Sequence, residues 1–416
     1  MTDPRTERAR EEALAILQPA AKELEHGLQL HADALVCESY GFAPRSAVDT
    51  EAINRALEEG ASPIEVQDLS EDMSMTRHVI DAHERARFIE AWKVSGVTCI
   101  LQNAGEEYQD PVRIMKRLAR FTYVADSMRD VMLRATHPDD IVRAKEEGKH
   151  CFYMSSNGVP LPQRWTSLEE ELGLLKIFYQ LGIRMMHLTY NRRNMIGDGC
   201  AEASNAGLSD FGRAVIQEMN QLGIVVDVAH SGQKTSLEAA QLSERPMVAS
   251  HSAALALNDH FRCKSDEVIK AIADTGGYVG VCCIPRFLGR TRDIVAFLDH
   301  IDYLVKRFGA DHVAIGTDIA YRSPGPPVGE GQKKSAPVPR PKQRPRWEAY
   351  WPDGPSRVVD PSIKEREGKG LVWTNWPLFT VGMVQRGHSD DDIRKILGGN
   401  VLRVVKAALP GSENCS

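Results

Sequence analysis

Short apolar runs recur along the chain, separated by longer stretches in which apolar residues return every three or four positions. The runs occupy residues 34–37, 97–102, 150–155, 184–190, 224–230, 247–251, 278–283 and 312–318. Most are apolar almost without interruption, the pattern of parallel strands covered on both faces rather than of strands with one wet face. The stretches between them read as amphipathic helices. Residues 209–222 are the clearest: Ser209 is placed to cap the first turn, apolar positions follow at helical spacing, and Gly223 suits the left-handed residue after the last turn. Residues 265–275 end on Gly276-Gly277 in the same way. One surface helix is expected over 5–29, and two short helices, 390–397 and 401–408, are expected on either side of Gly398-Gly399. Eight strand–helix units behind a leading helix predict a single (β/α)8 TIM barrel spanning residues 1–416. A doubly wound open sheet would use the same elements.

Residues 321–370 break the alternation. They are rich in Pro, Gly, Lys and Arg and would leave the C-terminal end of the last strand, beside the barrel mouth. A connection of this length reads as a lid, an interface arm or an irregular excursion. Trp347, Tyr350 and Trp351 offer aromatic anchors there, and a homodimer is expected.

Composition narrows the function class. Of 416 residues, 42% are hydrophobic and 26% charged, enough for a large self-sufficient core. A net charge of −6 speaks against nucleic acid or an anionic membrane surface as a partner. The eight cysteines form no CxxC pair, and several sit inside apolar runs, which reads as reduced thiols in a cytoplasm. The charged N-terminal stretch MTDPRTERAREE lacks the apolar core of a secretory leader.

In a barrel of this kind the working groups sit at the C-terminal ends of the strands. The fifth run, IVVDVAH, ends in His230; the sixth, MVASH, ends in His251; the eighth, HVAIGTD, ends in Asp318. Two imidazoles and a carboxylate gathered at one mouth are a ligand set for Zn²⁺ or a similar divalent ion. Such an ion polarises a carbonyl and acidifies a bound water, and a free carboxylate beside that water can act as general base. His187 lies within the fourth run and could face either way. His388 lies in a polar segment ahead of a helix and reads as a solvent-facing or capping residue.

The stretches DVAHS, VASHSA, HFRC, HVAIGTD, LTYN and the segment from Phe379 to Val404 together resemble the renal (membrane) dipeptidase family, peptidase family M19. The resemblance runs from about residue 30 to near the end of the chain. It implies a (β/α)8 metallohydrolase related to the amidohydrolases, holding two zinc ions and cleaving dipeptides. On that likeness His230 and His251 match two histidines that share one zinc, and Asp318 matches the aspartate that works with the nucleophilic water. Arg262 matches an arginine that contacts the substrate carboxylate, a role that suits its planar fork of donors.

The departures from the family pattern alter the expectation. The usual H-x-D pair after the first strand falls on Tyr40 and Phe42. Phe42 cannot ligate, and Tyr40 is a poor ligand at neutral pH. A literal H-x-D, His31-Ala32-Asp33, precedes the first run and is expected at the wrong end of the barrel. The bridging glutamate falls on Ser156 or Asn157, and the histidine after the fourth strand falls on Tyr190. Cys37 and Glu38, near the end of the first run, are candidate compensating ligands. The expected site therefore has His230, His251 and Asp318 as catalytic groups and ligands of at most one zinc ion. Arg262, Tyr190, Asn191, Asn157 and Tyr40 line its substrate pocket. The expected reaction is hydrolysis of an amide in a small carboxylate-bearing substrate. A repurposed lyase or other hydrolase, and a catalytically silent binding protein, remain open.

Overall fold

The computed structural model describes residues 3–105, 110–325 and 361–411. The expected anchors Trp347, Tyr350 and Trp351 lie outside the described residues. Among the described residues nine strands form one parallel sheet: β1 Cys37–Gly41, β2 Cys99–Asn103, β3 Met132–Ala135, β4 His150–Ser156, β5 Ile183–His187, β6 Val225–Asp227, β7 Val248–Ser252, β8 Tyr278–Val281 and β9 Val313–Ile315. The hydrogen-bonded order is β1-β2-β4-β5-β6-β7-β8-β9, with β3 paired to β4 off this path. The sheet curls until β9 returns beside β1, where the Asp318 N–H donates to the Tyr40 carbonyl at 3.3 Å. The expected (β/α)8 barrel is therefore the observed architecture, and the open-sheet alternative falls away. No helix among the described residues is long and apolar enough to cross a membrane.

The hydrophobic pattern misses β3, because MLRA is short and its two middle residues are only half-buried. One edge of β4 pairs with β2. Its other edge is shared, with β3 along His150 to Tyr153 and β5 from Met154 upward. Arginine side chains tie β3 in: Arg184 Nε donates to the Thr136 carbonyl at 2.9 Å, and Arg134 Nη2 to the Leu181 carbonyl at 2.7 Å.

The first strand starts where the first apolar run ends. Its residues Glu38, Ser39 and Tyr40 look polar yet are wholly buried, because each finds its partner in the tertiary structure. Ser39 Oγ donates to the Tyr278 hydroxyl at 3.0 Å, for example. The leading helix is two helices, Pro4–Leu17 and Ala21–Asp33. Gln18 turns left-handed (φ 47°) and Pro19 has no N–H with which to continue the ladder. At the other end the two expected helices run together. Asp390–Arg394 passes through a π turn, Lys395–Gly399, into Asn400–Ala407. Gly398 serves close packing there: a Cβ would come within 2.3 Å of the Leu35 carbonyl oxygen.

Alternation along the strands divides the core. Cys37, Cys99, Leu101, Cys151, Tyr153, Met185, Val225, Val248, Tyr278 and Ala314 pack together as the barrel interior. The intervening residues, such as Ile100, Phe152, Met186, Val226, Val279 and Ile315, join the layer between strands and helices. Near the mouth β7, β8 and β9 approach so closely that only glycine fits. A Cβ on Gly280 or Gly316 would lie 1.9 or 2.1 Å from the Ser250 carbonyl oxygen. This close approach seats Ser250 and His251 over the barrel interior.

Candidate active site

Three neighbouring strands deliver the most buried polar group. His187 ends β5, Asp227 ends β6 opposite it in register, and His251 lies on β7. All three are fully shielded from solvent. One oxygen of Asp227, Oδ1, accepts the Ala229 N–H at 2.9 Å and the Ser250 N–H at 3.1 Å. The other, Oδ2, lies 2.7 Å from His187 Nε2 yet has no partner in hydrogen-bond geometry, and neither has His187 Nδ1. Burial pushes the Asp227 pKa up, but the adjacent His187 and the backbone donors outweigh it and hold the carboxyl below its ordinary value. Among the described residues, one trio of metal-ligating side chains brings its ligand atoms within 4.8 Å of one another, and it is His187, Asp227 and His251.

His230 and Arg262 complete this centre. His230 Nε2 lies 2.9 Å from His251 Nε2, and its Nδ1 lies 2.7 Å from Asn191 Oδ1, which also accepts from Cys200 Sγ at 3.2 Å. An amide oxygen can only accept, so His230 carries its proton on Nδ1 and presents a lone pair at Nε2. The Arg262 guanidinium is 2% exposed and lies 5.2 Å from the Phe287 ring centre. It donates to the Ala229 carbonyl, to the His251 carbonyl at 3.1 Å and to His230 Nε2 at 3.2 Å. Burial first, and the Arg262 charge second, hold both imidazoles well below their ordinary pKa. Both are therefore neutral at pH 7, as metal ligation requires. Behind the His230 turn, buried Lys264 donates to the Ser231 carbonyl at 2.6 Å and to Ser236 Oγ at 3.1 Å, and burial lowers its pKa to about 7.

The expected site residues divide accordingly. His230 and His251 come together as the strand ends foretell. Asp318 stands at the same mouth with a left-handed backbone (φ 60°), but it is not part of the compact trio. Burial lifts its carboxyl to about 6, against the opposing pull of Arg262 and His187. Tyr40 stacks on His251 with ring centres 3.9 Å apart, and burial keeps its phenol protonated. Tyr190 stacks on His230 at 4.2 Å. Asn157 is buried with its Oδ1 unpartnered. Ser156 Oγ donates instead to the Gly158 carbonyl at 2.7 Å. Asn191 acts on His230, as described.

The remaining candidates do not join the compact trio. Cys37 faces the barrel interior among Cys99 and Val248, and Glu38 points outward to Trp373, so neither replaces a missing ligand at the mouth. Phe42 packs edge-on against Tyr40. His31 sits on an outer helix, bonded to Thr380 Oγ1 and to the Ser95 carbonyl, both at 2.8 Å. His388 pairs with Asp302 at 2.7 Å rather than capping a helix. Sequence reasoning left the direction of His187 open and passed over Asp227. The signal for Asp227 was there: a carboxylate inside VVDV must find a partner on the neighbouring strand.

A parallel eight-stranded barrel with imidazoles and carboxylates at its C-terminal mouth defines the metal-dependent hydrolase type of TIM barrel. Residues 70–329 match the model of the membrane dipeptidase family, peptidase family M19, and the chain belongs to that family. Dipeptidase tcpJ of Claviceps purpurea is 27% identical over 283 residues, 67% of this chain and 55% of that protein. Dipeptidase aclJ of Aspergillus oryzae is 28% identical over 286 residues, 64% of this chain and 56% of that protein. The chain thus spans little more than half the length of these curated relatives. Among solved structures, an amidohydrolase from Pseudomonas aeruginosa superposes with a TM-score of 0.65 at 24% identity, covering 92% of this chain and 98% of that one. The probable dipeptidase PvdM from the same organism superposes with a TM-score of 0.63 at 20% identity, covering 93% and 98%. These structural likenesses support the shared barrel fold.

Proposed function

We propose that the protein hydrolyses the amide bond of a small substrate bearing a free carboxylate, of the dipeptide kind, with one zinc ion at the barrel mouth. The observation that carries this reading is the fully buried His187–Asp227–His251 trio, whose ligand atoms all lie within 4.8 Å of one another. Two imidazoles and one carboxylate are the donor set of catalytic zinc sites that keep a position open for water. When bound, the ion supplies Lewis acidity and lowers the pKa of water.

The chain's own residues do the rest. Asn191 holds the His230 proton on Nδ1, and Tyr40 and Tyr190 wall the imidazole pair from either side. Arg262 is the cation nearest the imidazoles and the group suited to a substrate carboxylate. Asp318 takes the proton from attacking water. With its pKa lifted to about 6, it is mostly ionised at pH 7 and poised as a base.

The test is metal analysis followed by turnover. The purified protein is expected to carry about one zinc per chain and, when zinc-replete, to cleave dipeptides with a free C-terminal carboxylate. Absence of turnover across a dipeptide panel would sink the dipeptidase reading. The pH profile follows from Asp318. A base must be unprotonated, so kcat/KM is expected to fall about tenfold per pH unit below about 6 and to level off above it. That acidic limb should be lost in Asp318→Asn along with most of the activity, and a profile flat from pH 4 to 8 would remove Asp318 from the role.

A further inference from the structure

Arg262 does more at this mouth than await a substrate carboxylate. Its guanidinium is buried, and two of its hydrogen bonds go to the backbone carbonyls of Ala229 and His251. A third donor is aimed at the His230 Nε2 lone pair from 3.2 Å. His251 Nε2 approaches the same lone pair from 2.9 Å. His230 cannot redirect this lone pair, because Asn191 Oδ1 requires the proton on Nδ1. The face of His230 that looks toward the His187–Asp227–His251 trio is thus met by a fixed positive charge.

We propose that Arg262 is a built-in competitor of the metal ion: its guanidinium and the ion contend for the His230 lone pair, and this contest holds metal affinity down. The inference rests on the metal reading above and adds His230 as a further ligand, its Nε2 lying 2.9 Å from His251 Nε2. One hydrogen-bond donor and one metal ion cannot share a single imidazole lone pair. Binding of the ion then requires the guanidinium to leave His230, which is also the movement that would free its donors for a carboxylate. Metal loading and substrate capture are coupled through one side chain.

The experiment is a double-mutant cycle read by zinc affinity in a competition titration against a chromophoric chelator, with no turnover involved. Arg262→Gln is expected to bind zinc about tenfold or more tightly than the unaltered protein, the scale of one hydrogen bond from a charged donor that the ion no longer has to displace. The gain should vanish when His230→Ala is added, because the released lone pair is then gone. Equal affinity in Arg262→Gln and the parent overturns the competition and leaves the metal reading intact. A gain that persists in the His230→Ala background also overturns it, since charge removal alone would then account for the effect. Absence of zinc binding in every variant overturns the metal reading itself. Arg262→Met, which keeps the length of the side chain, provides the same comparison if Arg262→Gln does not give a cooperative thermal melt.

Discussion

Asp227→Asn is expected to abolish stable zinc binding and nearly all hydrolytic turnover while leaving the fold intact. The substitution keeps the side chain's shape, so its remaining oxygen can still accept the Ala229 and Ser250 N–H bonds at 2.9 and 3.1 Å. What it removes is the negative charge and the lone pairs of Oδ2, the atom 2.7 Å from His187 Nε2. Outer-shell partners of metal ligands typically account for about 10–100-fold in affinity or activity, and loss of a ligand should exceed that. Neutral donors alone would then be left to hold the ion, without the anionic ligand of the trio. Metal content after dialysis, compared with the parent, is the direct readout. Retention of about one zinc with unchanged affinity would move the metal centre away from Asp227. The matching change on the other side, His187→Ala, should behave alike, although the family likeness assigns His187 no role.

The second large effect lies at the seam of the barrel. Glu38 is wholly buried on the outer face of β1 and receives the Thr317 N–H at 3.2 Å, the Thr317 hydroxyl and the Trp373 indole N–H at 2.7 Å. Thr317 immediately precedes Asp318, and the Asp318 N–H reaches back to the Tyr40 carbonyl. One carboxyl group therefore fastens β9 to β1 at the point where both present side chains to the mouth. Glu38→Ala would leave three buried donors without acceptors and a gap beside Gly41. The expected cost is about 3–5 kcal/mol, from the usual penalty of about 1–3 kcal/mol for each orphaned buried group with partial relaxation. Chemical denaturation would measure it, and a loss under about 1 kcal/mol would show that the seam holds without Glu38.

The same residue gives a pH signature. Burial pushes the Glu38 pKa up to about 8, although its three donors pull the other way. The folded state then holds a proton that the unfolded chain releases near the ordinary glutamate value. Its contribution to stability is fully present below that ordinary value and is lost as pH rises toward about 8, with a slope of at most about 1.4 kcal/mol per unit. Glu38→Gln, which does not titrate, should be less stable at acid pH and should flatten this part of the curve. An unchanged slope would assign the pH dependence to other groups.

The barrel was legible because its strands are parallel and covered on both faces, which writes them as plain apolar runs. Residues 150–155 and 278–283 needed little more than their composition. β3 was not legible, since a strand with half-buried middle residues leaves no such run. β1 was displaced because Glu38, Ser39 and Tyr40 are polar in sequence and apolar in environment only once Thr317, Trp373, Tyr278 and His251 surround them. The break at Gln18 was marked by Pro19. The continuity through Gly398-Gly399 was not marked, because these glycines serve a close approach to Leu35 rather than a helix end.

The chain's sequence by itself determined the barrel, the family and the strand-end histidines His230 and His251, since these depend on local periodicity and on residues at the limits of apolar runs. It also registered that Tyr40, Ser156 or Asn157, and Tyr190 stand where the family likeness puts metal ligands or a catalytic histidine. The tertiary structure alone decided which carboxylate joins the imidazoles. Strand register sets His187 opposite Asp227 and leaves Asp318, with its left-handed backbone, as a separate group at the rim. It alone decided that Arg262 points at a histidine lone pair. Metal ligation and hydrogen bonding depend on distances of a few ångströms between residues far apart in the chain, and only the closed barrel brings those residues within reach.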